Sequence, residues 1–246
     1  MRRCLTVVFD LSVTWGTCLA DINIEGFYIQ VMKYKLIIFD MDGTILDTLT
    51  DLADGVNYAL ARTGHELKSY KQVRGYLGNG IQKTIERSLP PGTDEHEQAR
   101  VLGFFREYYS IHCSDHTRAY KGITEELRLL KNMGYKLAVV SNKSDEAVKV
   151  LCKQYFDGIF DMSAGSRDGI RRKPCPDSVI MVMQKLEENC DAAIYVGDSE
   201  VDIQTAANAK IRCISVDWGF RNRSQLVEAG ATVIISDPAQ ITELVR

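Results

Sequence analysis

No stretch of this chain is apolar for long enough to cross a bilayer, so none of its segments reads as a transmembrane helix. Ordered cysteine spacing is missing as well. The seven cysteines, Cys4, Cys18, Cys113, Cys152, Cys175, Cys190 and Cys213, are odd in number, irregular in spacing and free of any Cys-x-x-Cys pair. That pattern argues against a disulfide framework and against a zinc site, and thiols scattered through core-type segments predict a reducing compartment, the cytoplasm. Nucleotide motifs are absent too. Gly75, Gly78 and Gly80 lack the G-x-G-x-x-G spacing and follow no strand, and no Gly-Lys-Ser/Thr occurs, so neither a dinucleotide fingerprint nor a P-loop is present. With 30 basic and 33 acidic residues the net charge is -3, which gives no nonspecific attraction to nucleic acid or to an anionic membrane. His112 and His116 stand one helical turn apart, but no third ligand lies near them, and a polar helix end is the better reading.

What the chain does have is 246 residues, 45% of them hydrophobic and 26% charged, enough for a core domain with a smaller insert. Leu36-Ile37-Ile38-Phe39 is a short uncharged run, the mark of a strand covered on both faces. Asp40-Met41-Asp42-Gly43-Thr44 comes directly after it, which places two carboxylates at the carboxyl edge of a parallel sheet, where α/β proteins put their chemistry. Gly43 allows a sharp turn there, and the Thr44 hydroxyl can cap the next segment. An ordinary Asp-rich turn would look similar. Further along, Lys136 to Val140 forms a second such strand ending at Ser141-Asn142, and Ala192 to Val196 a third, ending at Gly197-Asp198-Ser199-Glu200-Val201-Asp202. Between them lies Arg171-Arg172-Lys173-Pro174-Cys175-Pro176, whose prolines restrict the backbone around Lys173. This is the only basic cluster, and it is assigned to phosphate handling.

From Leu49 to about Thr117 the pattern is helical. Leu49, Leu52, Ala53, Val56, Ala59 and Leu60 make an amphipathic stripe that ends near Gly64. A second helix starts after Gly78-Asn79-Gly80 and stops at Pro90-Pro91-Gly92, and Val101, Leu102, Phe105, Tyr108 and Tyr109 mark a third. Beyond the insert, helices alternate with strands at Leu137, Ile194, 211–216 and 233–235, which predicts a parallel sheet. Residues 1–31 fit none of this. Arg2, Arg3 and Leu5 to Phe9 imitate the start of a secretory signal, but Asp10 breaks the apolar region. The expectation is an N-terminal extension from an upstream start, with a core over 32–48 and 118–246 and an insert over 49–117.

Taken in order, Asp40 to Thr44, Ser141, Lys173, and Asp198 with Asp202 resemble the four motifs of the haloacid dehalogenase superfamily of phosphohydrolases. Ser141 to Glu146, Lys173 to Asp177, Gly197 to Asp202 and Trp218-Gly219-Phe220-Arg221 are similar to its phosphoglycolate phosphatase-like branch. One departure is Ala119-Tyr120-Lys121-Gly122, where that branch commonly reads Pro-Tyr-Pro-Gly. The resemblance implies an α/β fold: a Rossmann-like parallel sheet flanked by helices, with an all-helical cap inserted after the first motif. It also implies an aspartyl-phosphate mechanism with Asp40 as nucleophile and Asp42 as general acid and base. The residues alone show two nearby carboxylates and not which one attacks.

A phosphate monoester carries roughly two negative charges at neutral pH, so Asp40, Asp42, Asp198 and Asp202 would repel it without a cation. An oxygen-rich cluster suits Mg2+, held by Asp40, Asp198 and the main-chain carbonyl of Asp42, with Asp202 supporting the site from behind. Lys173 adds positive charge, and Ser141, with Asn142 and Thr44 as weaker candidates, offers polar groups to the phosphoryl oxygens. Gly78-Asn79-Gly80 opens a helix, and its exposed N–H groups could meet a substrate carboxylate or simply form an interhelix turn. The expected partner is a small-molecule phosphate ester such as phosphoglycolate. A sugar phosphomutase of the same superfamily is the alternative, disfavoured because Leu49-Thr50-Asp51-Leu52-Ala53-Asp54 lacks the His-containing stretch of mutase relatives. A non-catalytic binding module fits less well, since every expected catalytic position is filled.

Overall fold

The structure, a computed structural model, describes residues 33–246 together with the backbone of two short strands nearer the N-terminus. Those strands, β1 (Ile22–Ile24) and β2 (Phe27–Ile29), pair antiparallel with Ile22 opposite Ile29. They form a unit of their own, and the rest of the expected extension lies outside the described residues.

The second unit begins with β3 (Leu36–Phe39) and β4 (Leu46–Asp47). The insert comes next as α1 (Leu49–Thr63), α2 (Tyr70–Tyr76), α3 (Ile81–Ser88) and α4 (Glu95–His112). The chain returns through β5 (Arg118–Ala119), α5 (Ile123–Asn132), β6 (Lys136–Ser144), α6 (Asp145–Phe156) and β7 (Met162–Ser166). It ends with α7 (Asp177–Lys185), β8 (Ala193–Gly197), α8 (Glu200–Asn208), β9 (Arg212–Val216), α9 (Arg223–Glu228), β10 (Ile234–Ile235) and α10 (Gln240–Val245).

Six of these strands form one sheet in the order β10-β9-β8-β3-β6-β7, every pair parallel. Parallel strands must be joined by crossovers, and the connecting helices cover both faces of the sheet. On one face Leu36, Ile38, Ala138, Val140 and Tyr195 pack against Val179, Val182 and Met183 of α7 and Ala206 of α8. Alternation sends Phe39 to the other face, where its ring meets Phe160 edge-on at 6.2 Å, and Phe160 meets Phe156 of α6. Strand β3 is buried along its whole length, as its lack of charge predicts. Because all six strands run the same way, Asp40, Ser141 and Asp198 gather at one edge.

The insert has a core of its own, made of Leu52, Val56 and Leu60 from α1, Val73, Ile85, and Val101, Leu102 and Phe105 from α4. Its first helix ends as expected, with Gly64 in the left-handed conformation. Helix α2 is not foreseen by periodicity because it is 7 residues long and buries only Val73, so it shows no apolar stripe; a capping box between Ser69 and Gln72 defines it instead. The two ends of the insert are clipped together. Strands β4 and β5 pair antiparallel, and Asp51 accepts hydrogen bonds from the main-chain N–H of His116 and of Thr117 and from the Thr117 hydroxyl. The unusual 119–122 segment therefore still returns the chain beside its exit point.

Candidate active site

Asp40 leaves β3 directly onto the carboxyl edge of the sheet, and Asp198 leaves the neighbouring β8 in the same way. Asp202 lies one turn into α8. Carboxylate oxygens of the three lie within 4.8 Å of one another, all buried. Lys173, from the loop after β7, projects between them, 2.9 Å from Asp40 Oδ1 and 2.8 Å from Asp202 Oδ1, and its ammonium also donates to the Tyr195 hydroxyl at 3.0 Å. Tyr195 in turn donates to the Val140 carbonyl. Asp202 is fully satisfied by the protein: its other oxygen accepts from the N–H groups of Asp198 and Ser199 and from the Ser199 hydroxyl. Asp40 Oδ1 differs. It is buried beside Lys173 yet accepts no aligned hydrogen bond.

Burial raises the pKa of Asp40 to about 7, against the pull of Lys173 and with the push of Asp202 and Asp42. Asp198 is likewise held well above the carboxylate range by burial and by repulsion from Asp202 and Asp40. Burial works against the charge on Lys173, but Asp202 and Asp40 outweigh it and keep the lysine protonated. Lys173 pairs with two of the three buried carboxylates, and the mutual repulsion that holds Asp40 and Asp198 above the carboxylate range is what a bound cation would relieve. The all-oxygen donor set fits a hard divalent ion.

The neighbouring side chains have assignments that the sequence did not foresee. The Asp42 carboxylate turns away from the trio to Lys143 Nζ, at 2.9 and 3.2 Å, and the same ammonium donates to the Tyr109 hydroxyl of α4 at 2.8 Å. Thr44 neither caps a helix nor faces the opening; it is fully buried and donates to Asp198 Oδ1 at 3.0 Å. Ser141 lies inside β6 rather than in a loop after it, because the strand runs on to Ser144 through a register shift against β7. Its Oγ accepts from the Lys143 N–H, which leaves its own proton free. Asn142 spends its amide N–H groups on the carbonyls of Gly78 and Lys173, so it struts the insert turn against the lysine loop. Of the basic cluster, Arg171 turns outward to Asp177, while Arg172 bonds Ser166 and faces the cavity. His112 pairs with Asp115 and lies apart from the carboxylate trio.

A cavity of about 810 Å3 opens above the trio, with Asp40, Asp42, Ser141 and Lys143 on its floor and Gly78, Gly80, Ile81 and Tyr109 on its insert side. Asn79 does not line it. Lys143, Tyr109 and Tyr195 were missed as site residues. Tyr195 carried a faint signal, a polar tip within an apolar strand; Lys143 and Tyr109 meet only through the fold.

A family model described as haloacid dehalogenase-like hydrolase matches residues 37–216, a span that contains every residue of this floor. The chain belongs to that family. A candidate phosphoglycolate phosphatase of solved structure from Lactobacillus delbrueckii subsp. bulgaricus is 39% identical, with a TM-score of 0.84 over 87% of this chain and 99% of that one. Among curated relatives, the phosphoglycolate phosphatase of Aquifex aeolicus is 32% identical over 76% of this chain and 86% of its own length. That of Pseudomonas syringae pv. syringae is 30% identical over 82% and 76%. As a haloacid dehalogenase-like phosphatase, the chain is a phosphoric monoester hydrolase. Among the described residues no helix is long and apolar enough to cross a membrane.

Proposed function

We propose that this phosphatase hydrolyses a small-metabolite phosphate monoester, phosphoglycolate being the leading substrate, with Mg2+ and through an aspartyl-phosphate on Asp40. The observation that carries the reading is the buried Asp40 Oδ1 without a hydrogen bond, set beside Lys173 at the floor of the cavity. Asp40, Asp198 and the main-chain carbonyl of Asp42 would hold the ion. Bound there, Mg2+ neutralises the carboxylates and draws charge from the phosphoryl oxygens.

The chain's own groups then divide the work. A carboxylate oxygen of Asp40 attacks phosphorus in line, forming the Asp40–phosphorus bond as the bond to the leaving oxygen breaks. Asp42 gives that oxygen its proton, and the alcohol departs. Water next attacks phosphorus, Asp42 takes its proton, the bond to Asp40 breaks and inorganic phosphate is released. Ser141 donates its free hydroxyl proton to a phosphoryl oxygen, and Lys173 fixes the nucleophile. Lys143, which donates to both oxygens of Asp42, also lines the cavity and can meet an oxygen of the incoming phosphate. The insert over 49–117 acts as the cap that encloses the leaving group. No feature of the floor favours the mutase alternative.

The test is phosphate release from a panel of metabolite monoesters with Mg2+ and with chelator, paired with mass spectrometry of Asp42→Asn quenched during turnover. Release that needs Mg2+, with phosphate trapped on Asp40, is expected; phosphate on another residue would overturn the assignment.

A further inference from the structure

Trp218-Gly219-Phe220-Arg221 lies just after β9 and takes no part in the chemistry above, yet it touches both the carboxylate trio and the insert. On the trio side, the Phe220 N–H donates to Asp198 Oδ2 at 2.7 Å. The other Asp198 oxygen is held by the Thr44 hydroxyl, and the Thr44 carbonyl accepts from Trp218 Nε1 at 3.0 Å. Both oxygens of Asp198 are therefore fixed, one directly and one through Thr44, by this single loop. Gly219 lets it come that close: a Cβ there would run into the Gly43 carbonyl oxygen and the Asp198 carboxylate.

On the insert side, the Phe220 side chain is buried in the insert's own apolar core with Leu77, Ile85 and Phe105. Two arginines then cross in opposite directions. Arg74 of α2 donates to the carbonyls of Phe220, at 2.8 Å, and Gly219. Arg221, itself buried and paired with Glu200 at 2.8 Å, donates to the carbonyls of Arg74 and Leu77. Hydrogen bonds from a charged donor are among the stronger ones, and each of these runs from an arginine side chain on one segment to a main-chain carbonyl on the other.

We propose that this crossed pair of arginines is a clasp through which docking of the insert sets the orientation of the Asp198 carboxylate, and that Arg74 is a positioning residue for metal binding although it lies outside the cavity lining. The proposal rests on the Mg2+ reading of the site. Residues that orient a metal ligand typically change affinity by about 10- to 100-fold when removed. Arg74 acts at one further remove, and a loss near the low end is expected.

The experiment is Mg2+ titration by calorimetry of the substrate-free full chain, comparing the native protein with Arg74→Met, Trp218→Phe and Arg87→Met. Arg87 donates to the Tyr76 carbonyl within the insert and serves as the control. Arg74→Met should bind Mg2+ about tenfold more weakly, and saturating Mg2+ should restore its kcat with little change in KM for the phosphate ester. Trp218→Phe removes a single N–H and should weaken binding by about threefold, which keeps the test decisive should Arg74→Met fail to fold. Native affinity in the folded arginine variant, or in Trp218→Phe, overturns the clasp, as does an equal loss in Arg87→Met. If the native chain itself binds no Mg2+, the reading of the site fails and the clasp fails with it.

Discussion

Buried charged groups gather beneath the cavity, whereas the insert is held by an apolar core of its own and meets the rest of the chain through the Phe220 side chain and a set of polar contacts. At and beneath the floor, Lys173 pairs with both Asp40 and Asp202, and Asp202 accepts from the N–H of Asp198, so these contacts form one chain. In the insert, Val56, Leu60 and Val101 lie away from the cavity lining, and exchanges there for apolar side chains of similar volume should cost little. On the proposed reading, chemistry belongs to the first region and selection of the leaving group to the second.

The sharpest way to break that division is Asp40→Asn, which changes little volume. Turnover should fall by roughly 10^4-fold or more while the fold persists, and a chelator-sensitive phosphatase activity surviving at near-native level would remove Asp40 as nucleophile. Lys173→Met comes next. It leaves Asp40 and Asp202 buried without their cation, and breaking such a pair costs about 3–5 kcal/mol, to be read from denaturant midpoints without Mg2+. An unchanged midpoint would mean that the floor is not held by charge.

The metal-free floor should also respond to pH. The Asp40 pKa is raised from 3.8 to about 7 by burial, so its carboxyl favours the folded state when protonated. Relative to Asp40→Asn, the native chain should lose stability as pH rises from about 4 to about 7 and level off above that. Mg2+ should flatten the slope; a gap that does not widen with pH would contradict it.

On the insert side, Gly80→Ala probes recognition. A Cβ there would lie 3.6 Å from Arg172 Nη1 and from the Asn142 carbonyl, at a φ of +83° that itself disfavours a side chain. Strain lowers both activities alike, so the ratio is the readout. KM for a carboxylated substrate should rise about tenfold more than for a neutral aryl phosphate if the turn's N–H groups bind the carboxylate. Equal changes would reduce the turn to a connection between helices. Removal of residues 1–31 should have the smallest effect, leaving melting temperature and turnover unchanged; a large drop in melting temperature would show that the segment contributes to the fold.

Legibility in the sequence divides along the same line. Uncharged runs such as Leu36 to Phe39 announce a buried strand, and the polar residue that ends each run must then fall at the sheet edge; that logic placed Asp40 and Asp198. The stripe in α1 and its stop at Gly64 were equally plain. Helix α2 was too short and too polar to show a period, and β7, Met-Ser-Ala-Gly-Ser, has too little apolar or β-branched character to announce itself. Lys143 meeting Asp42 and Tyr109, or Phe220 reaching both Asp198 and the insert core, joins positions far apart in the chain. Such contacts leave no local trace. The contacts of Thr44 and Asn142, expected as substrate-binding groups, are of the same long-range kind: Thr44 donates to Asp198, and Asn142 to the carbonyls of Gly78 and Lys173.

The place of β3 in the sheet bears on the order of assembly. It is the first of the six strands to be made and one of the two innermost, with Leu36 opposite Lys136 on one side and Ala193 on the other. During synthesis it must wait, unpaired, while the helices of the insert, whose contacts are local, are already able to form. The three carboxylates come together only once Asp202 has left the exit tunnel, so the catalytic floor is among the last parts of the nascent chain to exist.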